Sequence, residues 1–224
     1  MSVRMTMRYS SMVLAVGLSL GAVNAHAQMM TRRLVASVAA NKAKLKQYSY
    51  LQKTEMFYNG ELRNVRIARV HFDLATGNRV VVPISTGVRQ PKPRGLRGRI
   101  IERKRAGVKA YVERLAALMH RYLPPDPAKI KAAMPNAQII PGGGNPRLVL
   151  SSYVKAGDKV TFALNRNPRK LDQISVLSSL DDDPVSFVVH FASLADGTNY
   201  PATTTMKSDV EKLQVRVTTS NYRK

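Results

Sequence analysis

The residues best able to do chemistry are few and scattered. Of four histidines, His71 and His190 fall in strand-like stretches, His120 in a helical one, and His26 near the N-terminus. None has a second ligand at metal-binding spacing. The chain has no Cys, which excludes thiol catalysis and thiolate metal sites, and no Gly-x-Ser-x-Gly that would seat a serine nucleophile. Asp181-Asp182-Asp183 is acidic enough for Ca²⁺ but lacks the alternating ligands and distant Glu of a calcium loop, so it reads as a solvated turn. "PGGGNP" (141–146) could turn backbone N–H groups toward an anion. No Lys-Ser/Thr follows, so it reads as a flexible loop. The absence of Trp argues against a sugar platform. These residues predict no catalytic group, no metal site, no cofactor and no enzyme.

The first 27 residues predict where the chain works. Arg4 and Arg8 precede an apolar run from Met12 to Val23, and Ala25-His26-Ala27 is a small-x-small cleavage site. That order is a secretory signal peptide cut before Gln28. The apolar run is shorter than the roughly 20 residues a membrane span needs. The expected product is one domain, 28–224, exported to a bacterial periplasm. It folds there without disulfides. No Cys follows the cleavage site, so lipid attachment there is not expected.

The strongest signal left is charge. The chain carries 36 Lys and Arg against 14 Asp and Glu, a formal +22. From Arg89 to Tyr122 eleven cations face two Glu. Residues 89–99 read as an exposed Pro/Gly linker, and Arg94, Arg97, Arg99, Arg103, Lys104 and Arg105 are its candidate anion-binding patch. Cations at a helix start oppose the macrodipole by about 0.3–1 kcal/mol each when exposed, which hints at a partner anion. In the periplasm that anion is anionic lipid, lipopolysaccharide or an acidic partner protein. Nucleic acid is scarce there. The other reading is a solvated basic face that keeps the protein soluble.

The elements that position these groups follow from periodicity. Residues 29–46 have a helical pattern. Residues 47–58, 62–74 and 79–86 alternate as strands joined by tight turns, with Pro83 marking an edge or a bulge. From about Ile100 to Tyr122 a helical stripe of Ile101, Val108, Tyr111, Val112, Leu115, Met119 and Tyr122 is wide enough to pack on a sheet. Lys104 falls inside that stripe, so docking is expected only from about Gly107. Asp126 and Pro127 read as the N-cap and first residue of a short helix. Six further strands are expected at 147–154, 159–165, 170–180, 185–194, 201–208 and 211–222. The fold class is therefore α+β: a single curved antiparallel sheet of about nine strands, with two or three helices packed against it.

Two stretches carry a resemblance. In "LKQYSYLQKTEMFYNGEL" (45–62) a helix runs through a basic linker into an aromatic-polar strand and a Gly-Glu turn. In "VSFVVHFASLADGTNYPATTTMKSDVEKLQVRVTTSNY" (185–222) an Asp-Gly-x-x-x-Pro turn at Asp196 to Pro201 joins three strands. This order resembles the periplasmic lipoprotein-carrier superfamily, the lipoprotein localisation factors and outer-membrane lipoprotein-sorting proteins. The resemblance implies an unclosed β-barrel capped by helices over an apolar cavity for acyl chains. It places Tyr48, Tyr50, Met56 and Tyr58, or else the opposite face of the strand with Leu51 and Phe57, on that cavity. Arg63, Arg66 and Arg69 are candidates for the arginine such cavities hold.

Two functions remain. One is a non-enzymatic periplasmic binding protein sheltering an apolar or lipid-like ligand. The other is a cell-envelope interaction protein that docks to anions through its basic linker.

Overall fold

The computed structural model describes residue 32 and residues 35–87, 95–141, 146–165 and 170–224. The leader and the linker residues 89–94 lie outside these, as does most of the Gly-rich loop.

The first described helix, α1 (35–45), leads into three strands, β1 (Ser49–Tyr58), β2 (Glu61–Phe72) and β3 (Arg79–Gly87). Asn59 and Gly60 both take positive φ, 52° and 78°. That suits the two-residue hairpin whose twist matches right-handed strands. Two helices follow, α2 (Gly95–His120) and α3 (Pro127–Ala133). Asp126 caps α3, accepting from the Ala128 N–H at 2.8 Å, with Pro127 opening the helix. A 3-10 turn (Met134–Asn136) leads into the remaining strands. These are β4 (Ala137–Ile140), β5 (Arg147–Ser151), β6 (Lys159–Leu164), β7 (Leu171–Leu180), β8 (Asp183–Ser193), β9 (Asn199–Ser208) and β10 (Leu213–Arg223).

All ten strands form one sheet in the order β3-β2-β1-β10-β9-β8-β7-β6-β5-β4, every pairing antiparallel. The sheet does not close, because β3 and β4 occupy its two edges. Neighbours in space are neighbours in sequence except at one seam, where β10 returns to pair with β1 over nine residue pairs. Register shifts break five of the ladders, and such bulges bend strands and increase twist. One lies opposite Pro83 on edge strand β3.

Two details differ from the sequence expectation. The tenth strand, β4, has no counterpart among the strands expected from the sequence, because its four residues are too few to show a period. Helix α2 starts at Gly95, so Arg97 and Arg99 belong to the helix and not to the linker. Docking on the core does begin where expected: Gly98 is buried, but every residue from Arg99 to Gly107 is exposed, and the half-buried and buried positions resume at Val108.

From there α2 buries Tyr111, Leu115 and Leu118, and Tyr122 just beyond it, against Leu148, Leu150, Val160, Phe162, Ile174, Val176, Val185, Phe187 and Val189. Val35 and Val38 of α1 pack on the same core. Nearly all of the fully buried large side chains lie on this part of the sheet or on the helices that cover it. No helix among the described residues is long and apolar enough to cross a membrane.

Candidate ligand-binding face

Strand register shows which side chains share a face. One cross-strand row runs Ile139, Leu148, Phe162, Ile174, Val189, Thr204, Val217, Thr54, Arg66. The next runs Ala137, Leu150, Val160, Val176, Phe187, Met206, Val215, Met56, Asn64. In both rows the residues on β5 to β8 are buried. On β1 they are half-buried, and Arg66 on β2 is exposed. One continuous face is therefore dry under α2 and α3 and open over β1 and β2.

Two helices bracket the open part. Asn41 of α1 clamps the start of β9. Its side-chain carbonyl accepts the Asn199 N–H at 2.9 Å, and its amide donates to the Asn199 carbonyl. Tyr111 of α2 donates from Oη to Ser208 Oγ at 3.0 Å, at the end of the same strand. These anchors stand nine residues apart, about 30 Å along a strand. Between them lies a floor of Gln52, Thr54, Met56, Ala68, Thr204 and Val217, all half-buried. Of the three arginines on β2, Arg66 is in register with Thr54 on this floor, whereas Arg69 pairs with Leu51 on the other face.

Tyr48, Tyr50, Met56 and Tyr58 all lie on this same face by alternation, but at different places along it. Tyr58 is in register with Leu213 near the α2 end. Tyr48 and Tyr50 are at the α1 end, in a cluster with two tyrosines that the sequence did not point to. Tyr222 stacks on Tyr50 (centroids 4.8 Å, 20°), tilts against Tyr200 (4.4 Å) and meets Tyr48 edge-on (6.2 Å). Burial pushes the Tyr222 hydroxyl well above its ordinary pKa. That hydroxyl donates to Thr219 Oγ1 at 3.0 Å. Tyr48, itself buried, donates to Asp196 Oδ2 at 2.6 Å. The Tyr48 hydroxyl, aided by the Thr198 N–H, holds the Asp196 carboxyl well below the usual carboxylate range. Lys224 completes the edge of the cluster, 3.4 Å from Asp196 and over the Tyr48 ring at 5.2 Å. The four rings gather into one uncharged cluster at this end of the face, with Asp196 and Lys224 at its border.

Tyr200 and Tyr222 could have been read as face residues of their own strands. The meeting of Tyr222 with Tyr48 and Tyr50 depends on the β1–β10 seam, which joins residues some 170 positions apart.

The opposite side of the sheet carries an open groove of about 710 Å³ around the β1–β2 and β9–β10 turns. Phe57, Lys207, Lys212 and Arg216 line it, with the Arg216 guanidinium 5.4 Å above the Phe57 ring.

The residues considered for chemistry stay apart. His71 and His190 lie on β2 and β8, four strands apart in the sheet and out of register with one another. His120 ends α2 and is exposed. Asp181 takes positive φ in the β7–β8 turn and pairs with Arg114 at 2.6 Å, consistent with the solvated-turn reading. Among the described residues no three His, Cys, Asp or Glu side chains come together to hold a metal.

The most elaborate polar site is structural. Asp158, buried beneath the β5–β6 loop, accepts the N–H groups of Tyr153, Val154 and Lys155 at 2.6, 2.8 and 2.9 Å and the Tyr122 hydroxyl at 2.8 Å. Burial and this carboxylate push Tyr122 up to about 12. The network locks the loop onto the end of α2.

Of the anion patch, Arg99, Arg103, Lys104 and Arg105 are exposed on α2. Arg94 and the side chain of Arg97 lie outside the described residues.

No family model matches the sequence, and no curated protein does. Two solved structures are similar in outline. A DUF1329 family protein from Desulfovibrio piger is 8% identical, with 85% of this chain and 92% of that chain covered at a TM-score of 0.36. An outer membrane lipoprotein-sorting protein domain from Vibrio parahaemolyticus is 9% identical, with 86% and 92% covered at a TM-score of 0.34. The second carries the family name to which the sequence resemblance points. Likenesses this distant bear on neither ligand nor mechanism, and the fold description rests on the strand order and register given above.

Proposed function

We propose that the protein is an exported, periplasmic, non-enzymatic binding protein. It takes an apolar or lipid-like ligand on the open floor between α1 and α2. One observation carries this reading: of two cross-strand rows that are dry on β5 to β8, one is half-open from Thr204 and Val217 to Thr54, and the other stays buried through Met206 and Val215 and opens at Met56 of β1, on the same face. Half-covered Met56, Ala68 and Val217 still gain by leaving water, at about 25 cal/mol per Å² of apolar surface. The floor is bracketed by helices about 30 Å apart, long enough for an extended acyl chain. Its threonines add hydrogen-bonding groups without charge, and Arg66 supplies a cation at its margin.

The test is native mass spectrometry of protein purified from its own periplasm, with titration of a fluorescent fatty acid. The expected result is a co-purifying apolar ligand and saturable fluorescence. Met56→Lys places a charge on the floor and should weaken uptake by ten-fold or more, equivalent to about 1.4 kcal/mol, while far-UV circular dichroism stays unchanged. A ligand-free protein that takes up no fatty acid overturns the reading.

A further inference from the structure

Nine consecutive residues of α2, Arg99 to Gly107, are exposed all the way round the helix. This stretch therefore projects beyond the packed core for roughly 13 Å at 1.5 Å per residue, with Gly98 just before it buried. Its surface is not uniformly polar. Leu96, Ile100 and Ile101 are 79, 60 and 38% exposed. At about 100° per residue, Leu96 and Ile100 continue the stripe that Tyr111, Leu115, Leu118 and Tyr122 bury further along. The apolar face of α2 is thus longer than the core it covers: Gly98 is buried, but Leu96, Ile100 and Ile101 on the first turns stay exposed.

The charges around this bare stripe are sorted. Arg99 and Arg103 flank it on one side and Arg105 on the other, while Lys104 rises from its middle. Glu102, the segment's one carboxylate, falls on the far side, and the first turn holds no acidic residue. Long cationic side chains beside apolar ones can lay their stems on a greasy surface and keep their heads in water. A helix segment with aliphatic residues bordered by cations suits the boundary of an anionic bilayer.

We infer that the overhanging N-terminal half of α2 docks on an anionic phospholipid surface, with Leu96, Ile100 and Ile101 entering the headgroup boundary and Arg99, Arg103 and Lys104 engaging lipid phosphates. Charge complementarity selects an anionic occupant from a chain of formal charge +22. The exposed aliphatics select a bilayer over a nucleic acid, whose phosphate backbone offers them no apolar contact. The inference is independent of ligand binding on the floor, since the two use different residues.

Full-length mature protein is sedimented with vesicles of phosphatidylcholine alone and with 30% phosphatidylglycerol, across a NaCl series, and titrated in parallel with a DNA duplex. Binding is expected only to the anionic vesicles and should fall steeply with salt. Leu96→Ser with Ile100→Ser should weaken vesicle binding at least ten-fold and leave any duplex binding unchanged. Arg103→Gln with Lys104→Gln should weaken vesicle binding about 25-fold, five-fold per cation near a charged membrane. All four positions are exposed, so these variants keep the fold. The inference is overturned if the parent ignores anionic vesicles at low salt, if the serine variant binds them as the parent does, or if the duplex outcompetes them.

Discussion

The two halves of the sheet share one face and one register but not one fate. On β5 to β8, Leu148, Leu150, Val160, Phe162, Ile174, Val176, Phe187 and Val189 are all nearly or wholly buried beneath α2 and α3. On β1 to β3 the equivalent rows hold Thr54, Met56, Asn64, Arg66 and Ala68, half-buried or exposed, and edge strand β3 leaves Val81, Val82 and Ile84 about half exposed. A sheet face is covered only as far as its helices reach. Helix α2 spends its C-terminal half on the first region, and its basic stretch Arg99 to Gly107 covers none of the sheet, being exposed throughout. One region carries most of the buried core, and the other leaves part of its face half-open.

That contrast can be broken in the covered half first. Phe162→Ala, at a wholly buried site, should cost about 3–5 kcal/mol in urea unfolding. A loss under about 1 kcal/mol would mean that β5 to β8 are not the stable half. Asp158→Ala should follow at about 3 kcal/mol, because it strips an acceptor from three backbone N–H groups and from Tyr122 together. Met56→Ala, one row over on the open half, should cost only about 1 kcal/mol, since the side chain is already partly in water. Equal costs at Met56 and Phe162 would show the floor to be closed.

The smallest effect sharpens the picture at the tyrosine wall. The folded Asp196 carboxyl is held below its ordinary pKa, chiefly by Tyr48. Its contribution to stability is therefore present above the unfolded value of about 4 and is lost as pH falls below that toward the lowered folded value. The urea midpoint should drop over that window, and Tyr48→Phe should flatten the drop. An identical acid profile in the two proteins would show that the contact is idle.

Much of this was legible in the chain. The hairpins at Asn59-Gly60 and Asp196-Gly197 announce themselves because positive φ favours Gly and Asn. Asp126-Pro127 marks a helix start by capping chemistry alone. Lys104 within the apolar stripe of α2 signalled where docking must begin. β4 was illegible, since four residues of mixed polarity gain their strand character only by pairing with β5.

By itself the sequence determined the local pieces: strand period, turn chemistry and the antiparallel class. Each depends on neighbours within a few positions, where steric limits and hydrogen-bonding capacity are read directly. The tertiary structure decided which alternating face is covered, that Tyr222 joins Tyr48 and Tyr50 to Tyr200, and that Arg99 to Gly107 of α2 stay exposed. Those outcomes depend on the β1–β10 seam and on how far one helix reaches across ten strands. Contacts between residues more than a hundred positions apart leave no periodic trace in the residues that make them.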